Sequence, residues 1–393
     1  MKEQIKAYIE AILPDLISLR REIHKNPELS NKELETSRLI KEKLMENGIE
    51  ASTISSGLGV TALIEGSKEG KTVAYRADLD ALPIKEETGL PFASQRENVM
   101  HACGHDIHTT VLYGTALVIN KFKEHLRGNL RLIFQSGEEN FTGAKEVIKA
   151  GILDKPKVDY ILALHTWPEL PAGTIGLKKG SMMASSTNLY FKITGKGGHA
   201  AHPHRGIDPI VVSSYIVTAI QSIISRNIGP LDSAVISFGK LQAGTTSNII
   251  PDYAIAEGTV RTLRPDVNKK IEERIRDLIK LQAESFGAKA EVKYENISPP
   301  VINDPYIIDV LERSSFDSIG HENIRWLDNP SMGSEDFAFY LEKIPGVLIR
   351  LGTHNDTEES KLPLHNSKII FDERSIETGV NFMTNAIFSL LNS

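Results

Sequence analysis

The sequence predicts an α/β protein: a mostly parallel sheet with helices on both faces, interrupted by a smaller α+β domain. Three observations lead there. Apolar strand-like runs occur at 60–64, 72–76, 130–135 and 160–164, with helical patterns at 107–122 and 144–150 between the later ones. Strand–helix–strand alternation favours parallel pairing beneath covering helices. From 182 to 294 the pattern changes to strand 189–194, helix 207–226, strands 234–240 and 253–261, helix 267–286 and strand 290–295. That order is ferredoxin-like. Finally, residues able to do chemistry follow the strand ends: Asp78 and Asp80, Glu138 and Glu139, and His165. Open α/β sheets bind ligands at that edge. The expected division is a larger domain of 1–181 and 295–393, with 182–294 inserted and hinges near 181–187 and 294–300.

At the N-terminus, Ile5, Ile9, Ile12, Leu16, Leu19 and Ile23 recur at helical spacing. Pro14 falls inside that run, a place where a helix kinks or divides. Ser30 with Glu33 reads as a capping box, and Leu29 with Leu34 as a hydrophobic staple. The helix that follows should stop at Gly48.

Composition narrows the class. The 393 residues are 40% hydrophobic and 24% charged, with a net charge of −6, as expected of a chain with a full core. No dense Lys/Arg block suggests nucleic acid or an anionic membrane as partner. No run approaches about 18 apolar residues, so no membrane span is expected. The start, Met-Lys-Glu-Gln-Ile-Lys, lacks the features of a signal peptide. One Cys allows no intrachain disulfide, and a cytoplasmic protein is expected.

The chemistry is concentrated in a few short stretches. Met-His-Ala-Cys-Gly-His-Asp spans 100–106, so one loop can aim Cys103 and His105 at one ion. Cys sulfur, His nitrogen and carboxylate oxygen are ligands for zinc and its relatives. A free Cys is often simply buried, but this one precedes a helix among several His residues. Glu138 and Glu139 are adjacent after a buried-type strand, so their environments should separate their roles. Glu139 is assigned to metal and Glu138 to general base and acid. His165 and His365 gain weight only as members of the set. Asp80 is either a partner orienting a ligating imidazole or turn chemistry before Pro83. The stretch at 195–204, Gly-Lys-Gly-Gly-His-Ala-Ala-His-Pro-His, lacks a P-loop ending and the dinucleotide fingerprint. It reads as a loop bringing an imidazole to substrate.

Taken in order, these motifs resemble the M20 metallopeptidase family, in its amidohydrolase branch of hippurate hydrolases, N-acyl-L-amino acid amidohydrolases and auxin-conjugate hydrolases. The resemblance runs from Leu-Arg-Arg-Glu-Ile-His-Lys-Asn-Pro-Glu-Leu at 19–29 through Arg-Ala-Asp-Leu-Asp-Ala-Leu-Pro at 76–83, His-Ala-Cys-Gly-His-Asp at 101–106 and Gly-Glu-Glu at 137–139. It continues through Gly-Gly-His-Ala-Ala at 197–201, Ser-Asn-Ile-Ile-Pro at 247–251, Met-Gly-Ser-Glu-Asp-Phe at 332–337 and Leu-His-Asn at 364–366. It implies two divalent metal ions (Zn, Mn, Co or Ni) bridged by Cys103. Glu139 and His365 would complete one site, and His105 and His165 the other. It implies Glu138 as general base and His199 as the imidazole polarising the scissile carbonyl, carried on a lid that also dimerises. Asn248 aligns with a substrate contact; Arg350, Gly333 and Ser334 are further candidates for holding the substrate carboxylate. The implied substrate is a small N-acyl amino acid. A dipeptidase or aminopeptidase on the same scaffold is the alternative, and a non-catalytic metal-binding homologue a weaker one.

Overall fold

The computed structural model describes residues 1–392, which fall into two compact units. The first holds Met1–Gly180, Ile302–Asn329 and the chain from Asp336 onward; the second holds Ser181–Val301 and Pro330–Glu335. Compared with the expected cut, the second unit runs on to Val301 and takes in the return at 330–335.

Helix α1 (Lys2–Lys25) buries Ile5, Ile9, Leu16, Leu19 and Ile23 along one side, as their spacing predicts. Pro14 lies inside it without dividing it. The start of α2 (Leu34–Glu46) corrects the capping-box expectation. Its N-cap is Glu33, which makes no side-chain cap bond. The Glu28 carboxylate meets the first free amides instead, accepting from Thr36 N at 2.8 Å and Glu35 N at 3.3 Å. Leu34 is 53% exposed rather than stapled against Leu29. Gly48, with φ +70°, follows the helix end.

Next come β1 (Ala51–Ser55), β2 (Leu58–Glu65), β3 (Lys68–Asp78), α3 (His105–Lys121), β4 (Arg127–Gln135), α4 (Gly143–Lys149), β5 (Tyr160–Pro171), β6 (Ile175–Leu177) and β7 (Gly180–Met183). They are followed by β8 (Ser186–Thr194), β9 (Gly198–His199), α5 (Pro209–Asn227), β10 (Ala234–Ala243), β11 (Ile249–Ile250), β12 (Tyr253–Thr262), α6 (Pro265–Ser285) and β13 (Lys289–Ser298). The chain ends with β14 (Val301–Asn303), α7 (Pro305–Ser314), β15 (Ile324–Trp326), α8 (Ala338–Leu341), β16 (Gly346–His354) and α9 (Arg374–Leu391).

The sheet of the first unit has eight strands in the order β1-β2-β4-β3-β5-β16-β6-β15. Its middle strands β4, β3, β5 and β16 pair in parallel. Val73, Tyr75, Ala77, Leu132, Phe134, Leu162 and Leu164 join one core with the buried sides of α1, α3 and α9. Strand alternation sends Arg76 and Gln135 to the opposite face. There, Tyr340 of α8 donates to Gln135 Oε1 at 2.7 Å, and α4 buries Ala144 and Val147. Helices therefore cover both faces; β3 and β4 end at Asp78 and Gln135, whereas His165, expected just past a strand end, lies within β5, which outruns its β3 pairing at Ala163 and continues beside β16 to Pro171.

The second unit contains a four-stranded antiparallel sheet, β10-β12-β8-β13. Its connectivity is strand–helix–strand–strand–helix–strand, as the periodicity predicts. Val212, Ile216, Ile220 and Ile223 of α5, and Val267, Ile271, Ile275 and Ile279 of α6, pack on Leu189, Phe191 and Ile193. Among the described residues, α5 is the one helix long and apolar enough to cross a membrane by length and composition. Its apolar stripe is occupied by its own sheet, and its outward positions include Ser214, Thr218 and Gln221.

Candidate functional site

The loop between β3 and α3 carries Cys103 at the sheet edge. Gly104, at φ +79°, turns the chain into α3. A Cβ there would stand 2.6 Å from Thr166 Oγ1, the hydroxyl that donates to Cys103 O at 2.7 Å. Both the left-handed backbone and the contact demand glycine. Gly104→Ala is therefore expected to displace Cys103, lowering bound metal per chain and thermal stability together. A wild-type metal content in Gly104→Ala, read by elemental analysis, contradicts this.

The Cys103 sulfur lies 3.5 Å from His165 Nε2 and 3.3 Å from His365 Nε2. His165 Nδ1 is 2.8 Å from Thr166 O. A carbonyl only accepts, so Nδ1 holds the proton and Nε2 presents a lone pair to the sulfur. His365 reaches the cluster from the far end of the chain. Its N–H donates to Ala102 O at 3.0 Å, and its φ of +67° is an uncommon conformation for a non-glycine residue.

His105 opens α3. Its Nδ1 is 3.3 Å from Asp80 Oδ1, and its Nε2 faces Glu139 Oε1 at 3.9 Å and Asp78 Oδ2 at 3.7 Å. Asp80 is held in turn: its Oδ2 accepts from Ser30 Oγ at 2.6 Å and from Glu139 N at 3.0 Å. Asp80 thus touches both His105 and the Glu139 backbone. Glu138 is nearly buried, and its Oε1 accepts from Asp336 N at 3.3 Å.

Three overlapping donor groups result: Cys103–His105–His165, Cys103–Glu139–His365 and His105–Glu138–Glu139, the donor atoms of each lying within 4.8 Å of one another. Cys103 belongs to two of them. The chemistry of this set fits divalent metal. His105 Nε2 and Glu139 Oε1 are buried and make no hydrogen bond, a costly arrangement unless a cation completes it. Burial pushes the Cys103 thiol well above its ordinary pKa, and the nearby Glu139, Glu138 and Asp78 add to the rise. Burial works to lower His105, but the charges of Asp78, Asp80 and Glu139 prevail and raise it to about 10. In both cases the carboxylate charges push the pKa upward, a direction that a bound cation opposes. A fourth group, Asp78–His105–His108, is already engaged. Asp78 pairs with Arg76 at 2.7 Å and with His108 Nδ1 at 2.5 Å.

Other predicted residues lie elsewhere. Arg350 is buried opposite His165 in the β5–β16 register, with its guanidinium 4.0 Å over the Trp167 ring. Its charge contributes, after burial and His108, to holding the His165 pKa well below the usual value. His199 and Asn248 are neighbours in the second unit. His199 pairs with Ile249 in the small β9–β11 sheet, and Ala200 N donates to Asn248 O at 3.1 Å. Ala201 N donates to His199 Nδ1 at 3.1 Å, which leaves the ring proton on the exposed Nε2. Gly333 is in the same unit at an exposed position, its carbonyl accepting from Ala184 N at 3.0 Å, and Ser334 follows it, half-buried.

Several supporting residues lie within the motifs at 19–29, 76–83, 101–106 and 332–337, although nothing in the sequence assigns them a role. Arg20 Nε and His24 Nδ1 hold Asp106 Oδ2 at 2.7 and 2.8 Å, next in the chain to His105. Asp336 accepts from Arg76, from Gln135 and from Ala144 N, and so braces the ends of β3 and β4.

The model of peptidase family M20/M25/M40 matches residues 74–389. The chain belongs to that family. Within it, the chain is 41% identical to the N-acetyl-L-cysteine deacetylase of Bacillus subtilis, over 96% of this chain and 88% of the relative. It is 39% identical to an N-acetyldiaminopimelate deacetylase of a Geobacillus species, over 94% and 96% of the two. The solved YXEP protein of Bacillus subtilis, described as a dinuclear metal binding peptidase of the M20 family, shares 36% identity with a TM-score of 0.86, covering 98% of this chain and 99% of that one. The M20 match spans both the donor residues of the first unit and the His199–Asn248 pair of the second.

Proposed function

We propose that this M20 chain is an amidohydrolase with two divalent metal ions, cleaving N-acyl L-amino acids to a carboxylic acid and a free amino acid. The observation carrying this reading is the set of five donors, Cys103, His105, Glu139, His165 and His365, sharing one sulfur beside the nearly buried Glu138. The similarity to two deacetylases of N-acetylated amino acids supports the substrate class.

Glu139 and His365 would hold one ion and His105 and His165 the other, with Cys103 common to both. Thiolate favours zinc, and imidazole with carboxylate also accepts Mn, Co or Ni. Bound ions supply Lewis-acid polarisation of the amide carbonyl and a more acidic attacking water. Glu138 takes the proton of that water and returns it to the leaving nitrogen. Asp80 fixes the tautomer and ring orientation of His105. His199 offers its Nε2–H to the developing oxyanion. Asn248, Arg350, Gly333 and Ser334 remain the candidates for holding the substrate.

The second unit is assigned as a lid and dimerisation domain of a cytoplasmic homodimer. Helix α5 has no charged residue between Asp208 and Arg226, and it exposes Ile210, Val211 and Tyr215. Edge strand β10 exposes Val235 and Leu241. The one Cys, buried and free, suits a reducing compartment. A sedimentation mass of a single chain excludes the dimer.

The deciding experiment is amine release from N-acetyl and N-benzoyl amino acids and from plain dipeptides, using metal-loaded and chelated protein. Metal-dependent turnover of the acyl amino acids is expected. Turnover of dipeptides alone shifts the assignment to a peptidase, the description attached to the YXEP protein.

A further inference from the structure

Residues 28–33 do not act as their spacing suggests. Helix α2 starts only after Glu33 and its first amides are met by Glu28, while Ser30 and Glu33 reach Asp80 and the Ser136–Gly137 turn. Ser30 Oγ donates to Asp80 Oδ2 at 2.6 Å. Glu33 is fully buried, and its carboxylate accepts from Ser136 Oγ at 2.5 Å and from Gly137 N at 2.8 Å. These are the two residues before Glu138. Asn31 Nδ2 donates to Thr142 Oγ1 at 3.0 Å, at the other end of the same turn. Gly137 has φ +71°, and a Cβ there would stand 2.6 Å from Asn31 Oδ1.

A buried carboxylate is a costly way to fasten a turn. Burial, followed by the neighbouring charge of Asp80, pushes Glu33 up to about 7, while its two hydrogen bonds pull the other way. An apolar contact would anchor the backbone at lower cost. What the carboxylate adds is direction: two acceptor bonds fix the Ser136 hydroxyl and the Gly137 amide, and hence the exit direction of the Glu138 side chain.

We propose that Glu33 is a positioning residue for the reaction, aiming Glu138 through the Ser136–Gly137 backbone. This rests on the reading of Glu138 as general base. Misplacement of about 1 Å at a reacting group costs up to about 10²-fold. Loss of this anchor should therefore appear in kcat rather than in substrate binding or metal content.

The test compares Glu33→Gln, Ser136→Ala, Glu138→Gln and the double variant Glu33→Gln/Glu138→Gln. N-acetyl-L-cysteine, or the best substrate of the panel, is the probe. Metal per chain, melting temperature, kcat and KM are read for each. Glu33→Gln is expected to keep both ions and a KM within about twofold, and to lose about tenfold or more in kcat. Ser136→Ala, which keeps the Gly137 bond, should lose less. In the Glu138→Gln background, Glu33→Gln should add nothing. The proposal is overturned if kcat stays within twofold of wild type in both Glu33→Gln and Ser136→Ala. It is equally overturned if the loss lies in KM or metal content, or if the same factor appears in both backgrounds. Should Glu33→Gln fail to fold, Ser136→Ala in the two backgrounds carries the same comparison. Wild-type kcat in Glu138→Gln removes the general-base reading itself and is distinguishable from every outcome above.

Discussion

Glu138→Gln is expected to retain both metal ions and lose at least about 10²-fold in kcat, the low end for a positioned acid–base group. Gln is nearly isosteric and keeps the oxygen that accepts from Asp336 N at 3.3 Å, so the turn should fold unchanged. What disappears is an atom able to take a proton from water and return it to the leaving amine. Glu139→Gln should behave differently. Glu139 Oε1 is a buried donor facing both His105 and His365, so its replacement should reduce bound metal. Elemental analysis beside steady-state kinetics separates the two. If Glu138→Gln is the variant that loses metal, the two carboxylates have exchanged roles.

Cys103→Ala should empty both metal positions, whereas His365→Ala should weaken one. The sulfur is common to the His105–His165 and Glu139–His365 pairs, so its removal leaves each pair with two protein donors, below the three typical of catalytic zinc sites. The effect should extend to stability. A ligand at 100 times its Kd stabilises the folded state by about 2.7 kcal/mol. Chelation is therefore expected to lower the melting temperature of the wild type, while Cys103→Ala should start near the chelated value and barely respond. Cys103→Ala protein that still carries two ions per chain would refute the shared-sulfur assignment.

The motifs at 101–106 and 137–139 are legible because donors that act together there are also neighbours in the chain. Cys103 and His105 are two residues apart, and a glycine between them permits the turn. His165 and His365 are weak in isolation: an imidazole after a strand carries no mark of its partner 200 positions away. Ser30 and Glu33 mislead for a related reason. Their spacing matches a capping box starting at Ser30, but the helix starts three residues later, with Glu33 as its N-cap, and Glu28 meets the amides that then lie free, accepting from Thr36 N and Oγ1 at 2.8 and 2.9 Å. Local spacing alone does not fix where the helix starts. Strand β16 is equally hidden. It is buried from Gly346 to Thr353, so it lacks the alternation of a half-exposed strand, and its parallel partner β5 is far away in sequence.

Periodicity and residue chemistry together specify this chain's layers and the inserted strand–helix–strand–strand–helix–strand unit. They specify the soft-plus-hard donor set as well, because these depend on local backbone sterics and the properties of single side chains. The assembly of that set is decided elsewhere. Thr166 closes against Gly104, Arg350 is buried beside His165, His365 returns at positive φ, and Ser30 and Glu33 turn away from their helix toward Asp80 and Gly137. Each of these is a contact between segments distant in sequence, chosen by which buried polar groups could satisfy one another once the sheet had formed.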